Sequence, residues 1–274
     1  MANRRASKQV VSPLAAFLFT LAVSLALALV LFPVLPGSFQ GVDNHLSGGD
    51  VAAAVLVSLV AGAALGLYLY LFQPREVSNL WRLAMVGLLV VLWVAAAKVF
   101  LSLTLPDNDR LFLSYILPVA AAPMLVAILL DGGLAVAVAL LIAVLATFAG
   151  FYGQDARADT ADSMDAFQMV AAFLLGSLIG LYAVFRAERM HRYLVAGGVV
   201  ASISFLILLA FWLLDSGREA KDLPLILLTT ATGGFLSAVI TVGASVVLAM
   251  LFGITTRVQL MELAQLSHPL LRRL

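Results

Sequence analysis

The chain has 274 residues, of which 63% are hydrophobic and only 11% are charged, with a formal net charge of +1. A soluble domain is typically about half apolar and about one quarter charged, so a soluble fold of this size is excluded and the bilayer must surround most of the chain. The absence of cysteine excludes disulfides and thiolate metal sites. The balanced charge points to no particular partner, and no nucleic-acid partner is expected.

Eight segments are long and apolar enough to cross a bilayer as helices, because most approach the ~20 residues that span about 30 Å of hydrocarbon. Their apolar residues run continuously, without the period-two alternation of a barrel strand, which favours an all-α fold, a polytopic membrane bundle of about eight helices. In chain order the segments are residues 14–35, 51–72, 83–104, 112–130, 134–152, 167–185, 195–214 and 225–252.

The basic residues between these segments predict the orientation. If the N-terminus is cytoplasmic, most Lys and Arg residues lie on the cytoplasmic side, as the positive-inside rule requires. We expect a multi-pass cell-membrane protein with both termini in the cytoplasm. It divides into an N-terminal anchor helix with a short outer loop (1–50), a seven-span membrane domain (51–252) and a cytoplasmic linker helix (253–274). The first apolar core is too long for a typical signal peptide, although cleavage is the alternative.

Two G-x-x-x-G motifs lie in the second and sixth predicted spans, at Gly62 and Gly66 and at Gly176 and Gly180. Small residues at this spacing let helix backbones approach closely in lipid, where no hydrophobic drive brings helices together. We interpret both motifs as packing faces within the chain. A homodimer face is the alternative, and the bilayer itself is the partner that the composition requires.

The fourth predicted span contains Pro118 and Pro123. Each proline removes a backbone donor, so the freed carbonyls need partners from neighbouring helices or water. The pair predicts a kinked or broken helix. The break is either a static kink or a hinge that lines a polar cavity.

Lys98 is the one charge well inside a predicted span, and intramembrane charges are candidate functional residues. It lies near the end of the span, so its long side chain could also reach the surface, where Asp107 and Asp109 offer counter-charges. Lys98, Pro118 and Pro123 are therefore candidate ligand or hinge residues. Together they support an alternative function, that of a small-molecule transporter or permease.

The sequence after the last span, TTRVQLMELAQLSHP, predicts a short amphipathic helix that ends at Pro269. No catalytic or metal-binding motif occurs in the chain, so no cofactor is expected in it and its enzymatic status is uncertain.

The ending ELAQLSHPLLRRL resembles the junction of the seven-transmembrane HD-domain family, in which the last membrane helix leads into a cytoplasmic HD phosphohydrolase domain. Glu262, Leu263, His268 and Pro269 stand at matching places, and the stretch around Pro118 is also similar. The resemblance implies that these four residues relay a signal. It further implies a metal-dependent cyclic di-AMP phosphodiesterase activity, with divalent metals held by the HD domain.

The chain departs from the family's pattern at two places. Only the stretch PGSFQGVDNHLSGGD separates the first two spans, where the family has an outer sensor domain, and the sequence stops where an HD domain would begin. No catalytic residue is therefore carried over. The expected function is a sensory and transmitting membrane module that controls an HD domain or a separately encoded catalytic subunit. A structural membrane scaffold is a third possibility.

Overall fold

The computed structural model describes residues 13–32, 48–73, 80–105, 107, 109–151, 163–185, 190–215, 217 and 219–252. This part of the chain is almost entirely helical and contains no strand. Its α-helices, in chain order, are α1 Pro13–Leu31, α2 Gly48–Phe72, α3 Leu80–Thr104, α4 Ala121–Leu129, α5 Gly132–Phe151, α6 Ser163–Phe185, α7 Met190–Leu214 and α8 Asp222–Phe252. A short 3-10 turn, Leu113–Ile116, precedes α4.

Local chemistry explains where the later helices begin. The Asp131 carboxylate accepts hydrogen bonds from the backbone N–H groups of Gly133, at 2.8 Å, and Leu134, at 3.4 Å, and so caps the start of α5. Helix α8 has Asp222 and Pro224 in its first turn. A carboxylate there favours the positive end of the helix dipole, and a proline there displaces no helical hydrogen bond.

Within the described residues, six helices are long and apolar enough to cross a membrane, namely α2, α3 and α5 to α8. The expected count of about eight is therefore not confirmed. The apolar part of α1, Ala16–Leu31, and the segment Leu113–Leu129 are both shorter. The segment predicted over 112–130 is divided into a 3-10 turn and the nine-residue helix α4, so the broken helix predicted from its two prolines is confirmed. Hydropathy alone does not detect such a division.

The chain forms two compact units, residues 1–88 and 89–274. In the first unit α1 packs along α2. A Cβ atom added at Gly62 would overlap the Ser24 hydroxyl, and one added at Gly66 would overlap the Thr20 hydroxyl. The interpretation of this motif as an intramolecular packing face is thus confirmed, whereas a homodimer stays a prediction.

In the second unit α7 packs between α6 and α8, and α5 packs on α6. Helix α4 lies against α5, α6 and α8. A Cβ atom at Gly180 of α6 would lie 2.5 Å from a Val200 methyl group of α7, and one at Gly176 would lie 2.9 Å from the Ser204 hydroxyl. The second small-residue motif is therefore also used within the chain.

Candidate functional site

The two prolines lie in one structural feature, the broken segment, which we define as residues 113–129. After the 3-10 turn the backbone N–H of Leu117 donates to Ser114, and the N–H of Val119 donates to Leu117. Regular α-helix resumes only at Ala121. The break thus occupies the residues around Pro118, as the loss of a backbone donor there predicts.

The carbonyl of Pro118 has two donors. The backbone N–H of Ala121 lies 3.1 Å away, and the indole Nε1 of Trp93, on α3, lies 3.2 Å away. A neighbouring helix therefore satisfies a backbone group inside the break, as the low dielectric of the bilayer requires. This contact joins α3 to the break.

The broken segment lies in the interior of the second unit. All residues of α4 are buried except Ile128, which is partly buried. Met124 belongs to an apolar cluster with Tyr193 and Val200 of α7. Because most interior atoms around α4 are in contact with neighbours, a shift of this segment must move those neighbours too.

Helix α8 approaches the break at Gly233. A Cβ atom at Gly233 would overlap the backbone carbonyl oxygen of Tyr115, in the 3-10 turn. Any larger residue would separate α8 from the turn. The glycine therefore permits a direct backbone contact between the broken segment and the last described helix.

A cavity of about 20 Å³ lies where the broken segment meets α6, α7 and α8. Its lining is mixed, with the aromatic rings of Tyr115 and Phe173 and several small or hydroxyl-bearing residues. The latter include Gly176, Ser177, Ser204, Thr230, Gly233, Gly234 and Ser237. The volume is that of a single water molecule rather than of an organic ligand.

A second polar feature, the Arg110 cluster, joins the loop after α3 to the loop after α7. The Arg110 guanidinium forms an ion pair with Asp215 and donates to the Gly217 carbonyl at 2.6 Å. Its Nε also lies 3.7 Å from Oδ2 of Asp222, which is fully buried and accepts from the Trp212 indole at 3.2 Å. A buried carboxylate needs such partners to remain charged.

The hydrogen bonds around Asp215 favour its charged carboxylate. The backbone N–H of Gly217 and, after it, the Arg110 guanidinium hold the pKa of Asp215 below its usual value. Asp215 therefore keeps its charge at neutral pH, because hydrogen bonds to the ionised form stabilise it.

The turn that carries Arg110 is held in an unusual backbone conformation. Arg110 and Phe112 have φ values of 55° and 54°. Such values are uncommon for residues other than glycine. The Asp107 carboxylate accepts from the backbone N–H groups of Leu111, at 2.8 Å, and Phe112, at 2.6 Å, and thereby stabilises the turn.

A family described as "7TM receptor with intracellular HD hydrolase" matches residues 50–256. The chain belongs to this family. The resemblance to the seven-transmembrane HD-domain family is thus confirmed, and the matched residues include the broken segment, the cavity and the Arg110 cluster. No curated protein and no solved structure matches the chain.

The other predicted site residues of this 7TM–HD family member lie on α3 or outside the described part of the chain. Lys98 lies on α3 and is half-buried. This position does not test whether Lys98 binds a ligand, so that role and the transport alternative stay predictions. The candidate relay residues Glu262, Leu263, His268 and Pro269 lie outside the described residues. Within the part that is described, no group of three His, Asp or Glu side chains could hold a metal ion.

Sequence reasoning did not identify Trp93, Ser177 or Asp222 as candidate functional residues. Ser177 lies between the two glycines of a G-x-x-x-G motif, and a hydroxyl on such a closely packed helix face could have been identified as buried from the sequence. Trp93 and Asp222 acquire their partners only through the fold.

Replacing Trp93 with phenylalanine should lower the free energy of unfolding by about 1 kcal/mol, because a smaller aromatic ring remains but the hydrogen bond to the Pro118 carbonyl is lost. Unfolding by steric trapping in bicelles would measure this. Trp81→Phe, at a side chain that is 72% exposed, is the control and should change stability much less. Equal effects of the two variants would contradict a specific role for the Trp93 contact.

Proposed function

We propose that this chain is the sensory and transmitting membrane module of an HD-type phosphodiesterase. It regulates a cytoplasmic HD phosphohydrolase domain, either attached to the same protein or encoded separately. The substrate of that domain is cyclic di-AMP, and its divalent metals belong to the domain rather than to this module. In this proposal both termini face the cytoplasm. Helix α1 crosses as an anchor, and the broken segment completes the seven crossings of the family's membrane region, together with α2, α3 and α5 to α8.

One observation carries the proposal, namely the backbone contact between the broken segment and α8. A residue larger than glycine at position 233 would meet the Tyr115 carbonyl, so a shift in the turn must displace α8. Helix α8 continues from this contact to Phe252, close to the end of the family match at residue 256. A conformational change at the break therefore has a continuous helix along which to reach the segment that follows.

A signal changes this arrangement only if it binds two packings of the break unequally. Two packings are physically accessible because the break around Pro118 leaves the segment without a continuous hydrogen-bond ladder. The buried contacts around Met124 then favour discrete arrangements over gradual deformation.

The test joins the full chain to the HD domain of a family member and measures cyclic di-AMP hydrolysis in proteoliposomes. Gly233→Ala should change the hydrolysis rate by about fivefold or more, since allosteric couplings are typically of that size. Gly243→Ala lies on the same helix, and a Cβ there would meet nothing within 4 Å, so it should leave the rate unchanged.

Comparable rates for the Gly233→Ala fusion, the Gly243→Ala fusion and the unchanged fusion would contradict transmission through α8. Hydrolysis by the isolated HD domain at the same rate as the fusion would argue that the membrane module exerts no control.

A further inference from the structure

Ser177 differs from every other buried hydroxyl in the described chain. Hydroxyls buried in membrane helices usually donate to a carbonyl one turn earlier, and those of Ser58, Thr147, Ser237 and Thr241 all do so at 2.6–2.9 Å. The Ser177 side chain is 1% exposed, yet its Oγ has no hydrogen-bond partner among the described residues. A buried polar atom of this kind requires a partner that the protein itself does not supply.

The same serine lines the cavity beside the broken segment. The cavity volume of about 20 Å³ exceeds the ~10–15 Å³ that one water molecule needs and is far below that of a metabolite. Ser204, Thr230 and Ser237 place further hydroxyl groups in the lining. A cavity of this size, with several hydroxyl groups in a mixed lining, has the room and the polar partners for one bound water molecule.

The broken segment lines the same cavity. Tyr115, Leu117 and Val119 of this segment belong to the lining, and Val119 is buried. A partner for the unpaired hydroxyl of Ser177 on α6 therefore lies against residues of the broken segment.

We infer that this cavity is a binding site for one ordered water molecule, held by the Ser177 hydroxyl and bridging α6 to the broken segment. The water supplies the hydrogen-bond partner that the fold does not give to the Ser177 hydroxyl. A water molecule can keep its hydrogen bond to Ser177 while it changes its partner on the broken segment. The break around Pro118 can therefore shift against α6 without leaving a buried polar group unpaired.

The test is X-ray radiolytic labelling of the full chain in lipid nanodiscs, read by mass spectrometry. Ordered water next to a ring converts to hydroxyl radical and oxidises that ring. Phe173 lines the cavity and is 6% exposed, whereas Phe19 is 8% exposed and packs beside Gly87. Because the two rings are similarly buried and Phe173 lies beside the hydrated cavity, Phe173 should be oxidised roughly threefold faster or more than Phe19.

Two serine variants complete the experiment. Ser177→Ala should reduce the oxidation rate of Phe173 to that of Phe19. Ser202→Ala removes an exposed hydroxyl of α7 that donates to Gly198 and should leave Phe173 unchanged. Equal labelling of Phe173 and Phe19 in the unchanged chain would overturn the inference, and so would a Phe173 rate that Ser177→Ala does not lower.

Discussion

Replacing Gly234 with alanine should lower the free energy of unfolding by about 2–3 kcal/mol, the upper part of the range for overpacked interiors. The added Cβ would overlap the backbone carbonyl oxygen of Gly197 and lie 2.7 Å from the Cβ of Ala201. Backbone atoms cannot move aside as a flexible side chain can, so α7 and α8 must separate. Gly197→Ala should have a similar effect, because its Cβ would lie 2.6 Å from the Gly234 carbonyl oxygen.

Two glycines on the same helices provide matched controls. A Cβ at Gly198 of α7 or at Gly243 of α8 would meet nothing within 4 Å. Alanine at these positions should leave stability unchanged or raise it by up to about 1 kcal/mol, through its better helix propensity. Steric trapping in bicelles would give all the values. The Gly197→Ala and Gly234→Ala double variant should cost less than the sum of its parts, since both act on one contact. Equal effects at contact and control positions would contradict the close crossing.

Replacing Arg110 with alanine should lower the free energy of unfolding by about 2–3 kcal/mol, because it leaves the carboxylate of Asp222 buried without its cation. Asp222 is fully buried, whereas the Arg110 side chain is 32% exposed, so we expect a loss somewhat below the ~3–5 kcal/mol of a fully buried pair. The turn that carries Arg110 should also lose its link to the Gly217 carbonyl. The measurement is again unfolding in bicelles at neutral pH.

The control for this prediction is a neighbouring surface ion pair, in which Nζ of Lys221 lies 2.8 Å from Oε2 of Glu219. Both side chains are more than half exposed, at 65% and 56%. Lys221→Ala should change stability much less than Arg110→Ala, as for surface ion pairs in general. Adding Asp222→Asn to Arg110→Ala should restore part of the lost stability, because the amide oxygen still accepts from Trp212 while the buried charge is gone. No recovery in the double variant would contradict the charge explanation.

The sequence predicted those features whose chemistry is local. Continuous apolar stretches predicted helices, and the glycines at 62 and 66 predicted a close helix contact. The two prolines predicted a disturbed helix because a missing N–H acts on its own turn. The number of crossings could not be predicted, since hydropathy does not distinguish a spanning helix from a buried segment that is divided near Pro118.

The partners of the candidate site were not predictable for a different reason. The Trp93 contact with the Pro118 carbonyl joins residues on separate elements, and the Arg110 cluster joins residues more than a hundred positions apart in sequence. The unpaired hydroxyl of Ser177 is defined by what the fold leaves around it. A pattern of residue types holds no information on such distances, which depend on the register between helices.

The length of α8 has a mechanical consequence. Its crossing with α7 at Gly234 and its end at Phe252 are separated by about 27 Å of rigid helix, at 1.5 Å per residue. A pivot of about 10° at this fulcrum would sweep the far end through roughly 5 Å, close to the rise of one helical turn. In the proposed transmission the helix would thus act as a lever arm, with its fulcrum beside the break and a tip that enlarges motions too small to disrupt the packed interior.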